Sequence, residues 1–141
     1  MRAIEPTRAV RTEADHHLFV YGTLMSRYHN AHAVALRQAA NLLGRATLRG
    51  RMHVVQGPRG TLVYPAVVAS DDPADVVRGE VYRVEDPGVF DRLDRYEGAE
   101  YERRTVAVEL GDGRRLSALA YLFLGATDRL PRVPSGDFAA R

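Results

Sequence analysis

The strongest constraint is a succession of short β-favouring stretches with only two helical stretches among them. Leu18–Tyr21, Arg45–Val55, Leu62–Ala69, Val76–Val84, Tyr101–Leu110 and Arg114–Leu124 each carry a strand pattern of alternating or continuous apolar residues. They are separated by turn-forming residues: Gln56–Gly60, Ser70-Asp71-Asp72-Pro73 and Gly111-Asp112-Gly113, the last of which predicts a hairpin. Helical spacing is confined to Asn30–Leu43, with Gly44 as its expected stop, and to Pro87–Glu97 before Gly98. With strands mostly in sequence and no regular strand–helix alternation, a small barrel or curled mixed sheet of the α+β class is expected. The 141 residues suit one domain, read as 16–141 behind a poorly ordered leader, 1–15. The tail after Gly125, with Pro131 and Pro134, reads as mostly irregular.

Composition closes off several functions. The chain has no cysteine, which removes disulfides, thiolate catalysis, zinc fingers and iron–sulfur clusters. Its apolar runs stop short of the roughly 18 residues that span a bilayer, and Met1–Asp15 lacks the pattern of a secretory signal. The expected setting is cytoplasmic, with no membrane partner. Net charge is +2 and the pI about 9.2, yet all 20 basic residues are Arg, spread along the chain and interleaved with 18 acids. That distribution is read as base composition, so no nucleic-acid partner is expected; an Arg-rich nucleic-acid module is the third and weakest reading.

Two places carry possible chemistry. In the turn after the first strand, Tyr21-Gly22-Thr23-Leu24, a glycine allows a sharp bend, and successive amides freed from sheet pairing can converge on an anion such as a carboxylate. An ordinary strand-ending turn would have the same residues. In the second helix Phe90, Leu93 and Glu97 fall within roughly 60° of one another, so a carboxyl continues the apolar stripe, while Asp91 and Asp94 lie off it and can face water. Burial and the negative end of the helix dipole both disfavour ionised Glu97, which predicts an upward pKa shift. Alternatively Glu97 pairs with Arg103 or Arg104, or bends out to solvent.

Other candidates are weaker. His29 and His32 could share a helical face, but no third ligand follows at metal-site spacing, so no metal is expected. His16-His17 is read as exposed or as a strand entry, and His53, alternating with Met52 and Val54, as solvent-facing. Ser26, Ser70, Ser117 and Ser135 lack a nucleophile-elbow context, and no phosphate loop is present.

Five segments, Phe19-Val20-Tyr21-Gly22-Thr23-Leu24-Met25, Tyr64-Pro65-Ala66, Gly79-Glu80-Val81-Tyr82, Leu93-Asp94-Arg95-Tyr96-Glu97-Gly98 with Tyr101 and Arg103, and Pro134-Ser135-Gly136-Asp137-Phe138, occur in this order over residues 18–138. Together they resemble the γ-glutamylcyclotransferase-like superfamily, most closely its AIG2-like branch. The resemblance implies a small mixed β-barrel of five to seven strands with two or so flanking short helices. It also implies a cavity lined by Tyr21, Gly22, Thr23 and Leu24, with Glu97 at the position of the family's catalytic glutamate.

The implied reaction is intramolecular: the α-amine of a γ-glutamyl group attacks its own γ-carbonyl, giving 5-oxoproline and a free amine, without cofactor or metal. Tyr101, four positions after Glu97, would orient that carboxyl or bind substrate, or simply pack as a strand aromatic. Thr23 stands where some relatives use Ser, a departure that leaves the leaving amine open. The competing reading is a non-catalytic pocket that binds a small carboxylate through the same loop.

Overall fold

The computed structural model describes residues 13–57 and 63–140. In chain order its elements are β1 (His17–Val20), α1 (Ala31–Ala39), β2 (Ala40–Gln56), β3 (Val63–Ala69), β4 (Val76–Val84), α2 (Val89–Glu97), β5 (Tyr101–Leu110) and β6 (Arg115–Phe123). The strands form one sheet in the order β3-β2-β4-β1-β6-β5, and β2 also pairs with β5. That last pairing, Ala46 to Leu48 against Leu110 to Val108, closes β2, β4, β1, β6 and β5 into a five-stranded barrel, with β3 as an extra strand on β2. All pairings are antiparallel except β1 with β6. The α+β barrel with two short helices is the architecture expected from the strand pattern and the resemblance.

The 17-residue β2 makes closure possible by serving two partners in turn. Its first part, Ala40 to Arg49, lies along β4, and its second part, Gly50 to Gln56, along β3. Strand alternation then sorts the apolar residues into two cores. Phe19 and Tyr21 point into the barrel with Met52, Val77, Val81, Val108 and Ala120. Leu18 and Val20 point the other way, into a layer completed by Leu36 of α1 and by Phe90 and Leu93 of α2. A fully buried Leu or Phe of this kind contributes roughly 1.5–3 kcal/mol, so both faces of β1 anchor it.

Four local expectations are corrected. The first helix ends at Ala39, not at Leu43: Ala40 already pairs with Val84, and Asn41 and Leu42 continue along β4. Gly44 is therefore no helix stop. It sits at φ +142°, where the register slips between Leu42 and Gly44, a conformation open to glycine. His53 is buried, because the C-terminal tail covers its face of β2: its Nδ1 lies 3.1 Å from the Leu130 carbonyl, the Val54 amide donates to Pro131, and the Val133 amide donates to Met52. Finally, residues 13–15 of the expected leader are in contact with the fold. Ala14 begins a short 3-10 turn and is buried, and the Glu13 carboxylate accepts from the Ser117 amide. The rest of that leader, 1–12, and the expected turn's residues 58–60 lie outside the described residues. Among the described residues no helix is long and apolar enough to cross a membrane.

Candidate active site

Where β1 ends, the barrel opens into a cavity of about 380 Å³, a size that suits a small molecule. Tyr21, Gly22, Thr23, Leu24, Glu97 and Tyr101 all line it. Gly22 is required there by proximity: a Cβ at this position would come within 2.7 Å of Pro65 Cγ on β3. The loop is then held at several points. The Met25 amide closes a turn onto the Gly22 carbonyl (3.1 Å), the Ser26 amide and hydroxyl each donate to the Glu80 carboxylate (2.7 Å), and Asn30 Nδ2 donates to the Thr23 carbonyl (2.8 Å). Asn30 also caps α1, its Oδ1 accepting from the Ala33 amide. Among the described residues, none accepts from the amides of Gly22, Thr23 or Leu24.

Opposite this loop, α2 delivers Glu97. The helix buries Val89, Phe90 and Leu93, and the stripe they define carries Glu97 into the cavity wall at the last turn. Gly98 ends the helix at φ +77°, its amide donating to the Asp94 carbonyl. Half-buried Glu97 loses water around its carboxylate, and that desolvation raises its pKa from 4.5 to about 7. The arginines that offered an alternative pairing are engaged elsewhere: Arg103 lies 3.5 Å from Asp94 and Arg104 2.6 Å from Glu102. A carboxyl with this pKa can both accept and donate a proton near neutrality.

Aromatic side chains complete the cavity. The Tyr101 hydroxyl donates to the Pro65 carbonyl (2.6 Å), and burial, reinforced by the Glu97 charge, pushes its pKa up. Burial likewise holds Tyr21 protonated, with its hydroxyl donating to the Tyr121 carbonyl (2.5 Å). Tyr64, Tyr96, Glu100 and Tyr121 are cavity residues that the sequence did not single out for a role. Tyr64 donates to Glu100 (3.0 Å), and the Tyr96 and Thr23 hydroxyls lie 2.7 Å apart across the cavity mouth. Tyr64 and Tyr96 lie inside the quoted segments, whereas Tyr121 sits in an ordinary apolar run with no local signal. Asp94, read as water-facing, is exposed but also accepts from the Tyr121 hydroxyl (2.6 Å).

The histidines take structural positions. His32 stacks on Tyr96 with ring centroids 4.1 Å apart and accepts from Arg92 Nε (3.3 Å), and His29 lies 3.5 Å from Arg37. Among the described residues there is no group of three or more His, Cys, Asp or Glu able to hold a metal ion.

Barrel and cavity together define a class: a small mixed-barrel protein whose pocket sets a half-buried carboxyl against a glycine-bearing loop. Residues 18–140 match the family described as gamma-glutamyl cyclotransferase, AIG2-like, and the chain belongs to that family. It is 27% identical to the Bacillus subtilis protein named "Putative gamma-glutamylcyclotransferase YkqA" over 86% of its own length and 40% of that protein's. The chain thus spans well under half of this relative. The crystal structure of YkqA superimposes with a TM-score of 0.65 at 30% identity, covering 88% of this chain and 39% of that one. PH0828 from Pyrococcus horikoshii gives 0.60 at 26% identity, covering 88% and 90%. A mouse AIG2-like protein shares the fold, with a TM-score of 0.64 at 23% identity over 84% of this chain and 85% of that one.

Proposed function

We propose that this chain cyclises a γ-glutamyl amide or γ-glutamyl amine to 5-oxoproline, with Glu97 as the single acid–base group. The carrying observation is a carboxyl with a pKa near 7 in the wall of a cavity whose other side is the Gly22–Leu24 loop. At neutral pH the substrate's α-amine is an ammonium and cannot attack. Glu97 in its ionised form removes one proton, the freed lone pair adds to the γ-carbonyl carbon, and a tetrahedral intermediate forms. Collapse of that intermediate breaks the bond to the departing nitrogen, which takes the proton held by Glu97; the ring nitrogen gives up its own extra proton through the same carboxylate to the departing amine, which leaves as an ammonium. Lactam and amine leave, and the carboxylate is restored.

General acid–base help of this kind contributes about 10²- to 10⁴-fold in rate, and folding the substrate so that its amine lies over its own carbonyl adds an orientation term. The loop amides are suited to the substrate's α-carboxylate. Tyr21 and Tyr101, protonated and fixed by carbonyls, shape the wall near Glu97. Incubation with a panel of γ-glutamyl compounds, assayed for 5-oxoproline, tests the reading. Release by the native chain and none by Glu97→Gln, with folding intact, is the expected result. Equal turnover by the two would overturn it.

A further inference from the structure

A phenol has one proton to give and lone pairs to receive. Around the cavity that proton is committed in three places: Tyr21 donates to the Tyr121 carbonyl (2.5 Å), Tyr101 to the Pro65 carbonyl (2.6 Å), and Tyr121 to Asp94 Oδ1 (2.6 Å). Carbonyl and carboxylate oxygens cannot donate back, so the direction of each bond is fixed. What Tyr101 and Tyr121 retain for a ligand is lone pairs only, while the Tyr21 oxygen already receives the Val67 amide. Two of the acceptors are backbone groups. The third is a side chain, and it is itself held from behind: Arg103 lies 3.5 Å from Asp94, and its guanidinium sits over the Phe90 ring, 4.5 Å from the centroid.

We propose that Asp94, acting through Tyr121, is a positioning residue that sets the hydrogen-bonding polarity of the cavity. By taking the phenolic proton it makes Tyr121 an acceptor, so that the tyrosine wall receives N–H groups and turns carboxylates toward the loop. The consequence for substrate orientation rests on the cyclotransferase reading, since it is the α-ammonium that would then lie against Glu97 and the tyrosines. The polarity itself does not rest on it. The ionisable groups around Glu97 are Tyr21 from the turn after β1, Tyr101 from β5 and Tyr121 from β6, with Tyr96 and Glu100 beside it in sequence and Tyr64 from β3 lining the same cavity. Arg103 reaches this set through Asp94 and Tyr121.

The test needs no substrate. Carbon-13 NMR of the side-chain carboxyls in the full chain, with the Glu97 signal assigned by its loss in Glu97→Gln, gives the Glu97 midpoint directly. Asp94→Ala and Asp94→Asn remove the same charge and the same ion pair to Arg103, but only Asn keeps an oxygen to accept the Tyr121 proton. In Asp94→Ala that proton is free to turn toward the Glu97 carboxylate and stabilise its charged form. Its midpoint is expected about one unit below that of Asp94→Asn. Adding Tyr121→Phe should erase the difference. Identical midpoints in Asp94→Ala and Asp94→Asn would overturn the proposal. A panel that yields no 5-oxoproline would count against the cyclotransferase reading while leaving this titration to decide the role of Asp94.

Discussion

The Tyr21 hydroxyl donates to the Tyr121 carbonyl at 2.5 Å, joining residues one hundred positions apart. These residues lie beyond the place where β1 and β6 pair, whose register is marked by Leu18 against Leu119. The side chain thus continues by hydrogen bond a connection that the backbone has ceased to make, at the edge where the barrel opens into the cavity. Tyr21→Phe keeps the ring in the core and leaves a carbonyl unsatisfied. A loss of about 1–2 kcal/mol is expected, read from urea unfolding monitored by circular dichroism. An unchanged midpoint would mean that the bond contributes nothing to closing the barrel.

Glu97 carries a stability cost whose sign is fixed by its pKa. Folded, the carboxyl holds its proton up to about pH 7, whereas in the unfolded chain it releases it near the ordinary value of 4.5. Between those values the folded chain binds a proton that the unfolded chain has lost, so this group's contribution to stability falls as pH rises through the window. Glu97→Gln is neutral in both states. The variant should therefore exceed the native chain in stability by on the order of 3 kcal/mol above pH 7 and match it near pH 4. Thermal unfolding of both proteins across this range checks the prediction, and a variant whose advantage over the native chain is no greater at pH 8 than at pH 4 would contradict it.

Much of this architecture was legible because strands with one wet face write their periodicity into the chain. Val76–Val84 and Tyr101–Leu110 have the bounds expected of them, and Glu97 stood out as a carboxyl on an apolar stripe. Misreadings arose where partners distant in sequence decide the outcome. Asn41-Leu42-Leu43 is helix-favouring by itself, but Ala40 meets Val84 and Leu42 meets Tyr82, and sheet pairing outweighs local propensity. His53 alternates like an outward residue, and only the returning tail, bridging it to Arg132, buries it. Tyr121 and Asp94 were invisible as a pair for the same reason: a strand aromatic and a helical acid meet only once β6 and α2 are side by side.

The returning tail is pinned through Asp75, which is buried at the foot of β4. Its carboxylate accepts from the Ser70 hydroxyl (2.7 Å) and from Arg132 Nη2 (2.6 Å), with Arg51 at 3.6 Å. The Ser70 and Arg132 hydrogen bonds hold its pKa below the ordinary 3.8. A depressed carboxylate stabilises the fold above its unfolded pKa, and that contribution disappears as pH falls through the folded value. Asp75→Asn should flatten this acid-side loss and loosen the tail. Protection of the Val133 amide, which donates to Met52, relative to its intrinsic exchange rate at each pH should fall in the variant at neutral pH and in the native chain on acidification below pH 3.8. Equal protection of that amide in both proteins at neutral pH would show that the tail is held by its backbone contacts alone.

The sharpest steric requirement at the site is at Gly22. A Cβ there would stand 2.7 Å from Pro65 Cγ and 3.3 Å from Cδ, and a proline ring cannot swing aside as a flexible chain end can. Either the loop or β3 has to move. Both belong to the cavity, since Pro65 also supplies the carbonyl that takes the Tyr101 proton. Gly22→Ala should therefore displace the loop amides and the Tyr101 hydroxyl together. Because a shift of about 1 Å in positioning groups can cost about 100-fold, kcat/KM on a γ-glutamyl compound that turns over should fall by about that factor. Gly111→Ala is the matched control: at Gly111 a Cβ meets only the Arg45 carbonyl, at 3.9 Å, so the same methyl should change neither stability nor turnover. Comparable activity in the two variants would mean that the Gly22 loop does not position the reacting group.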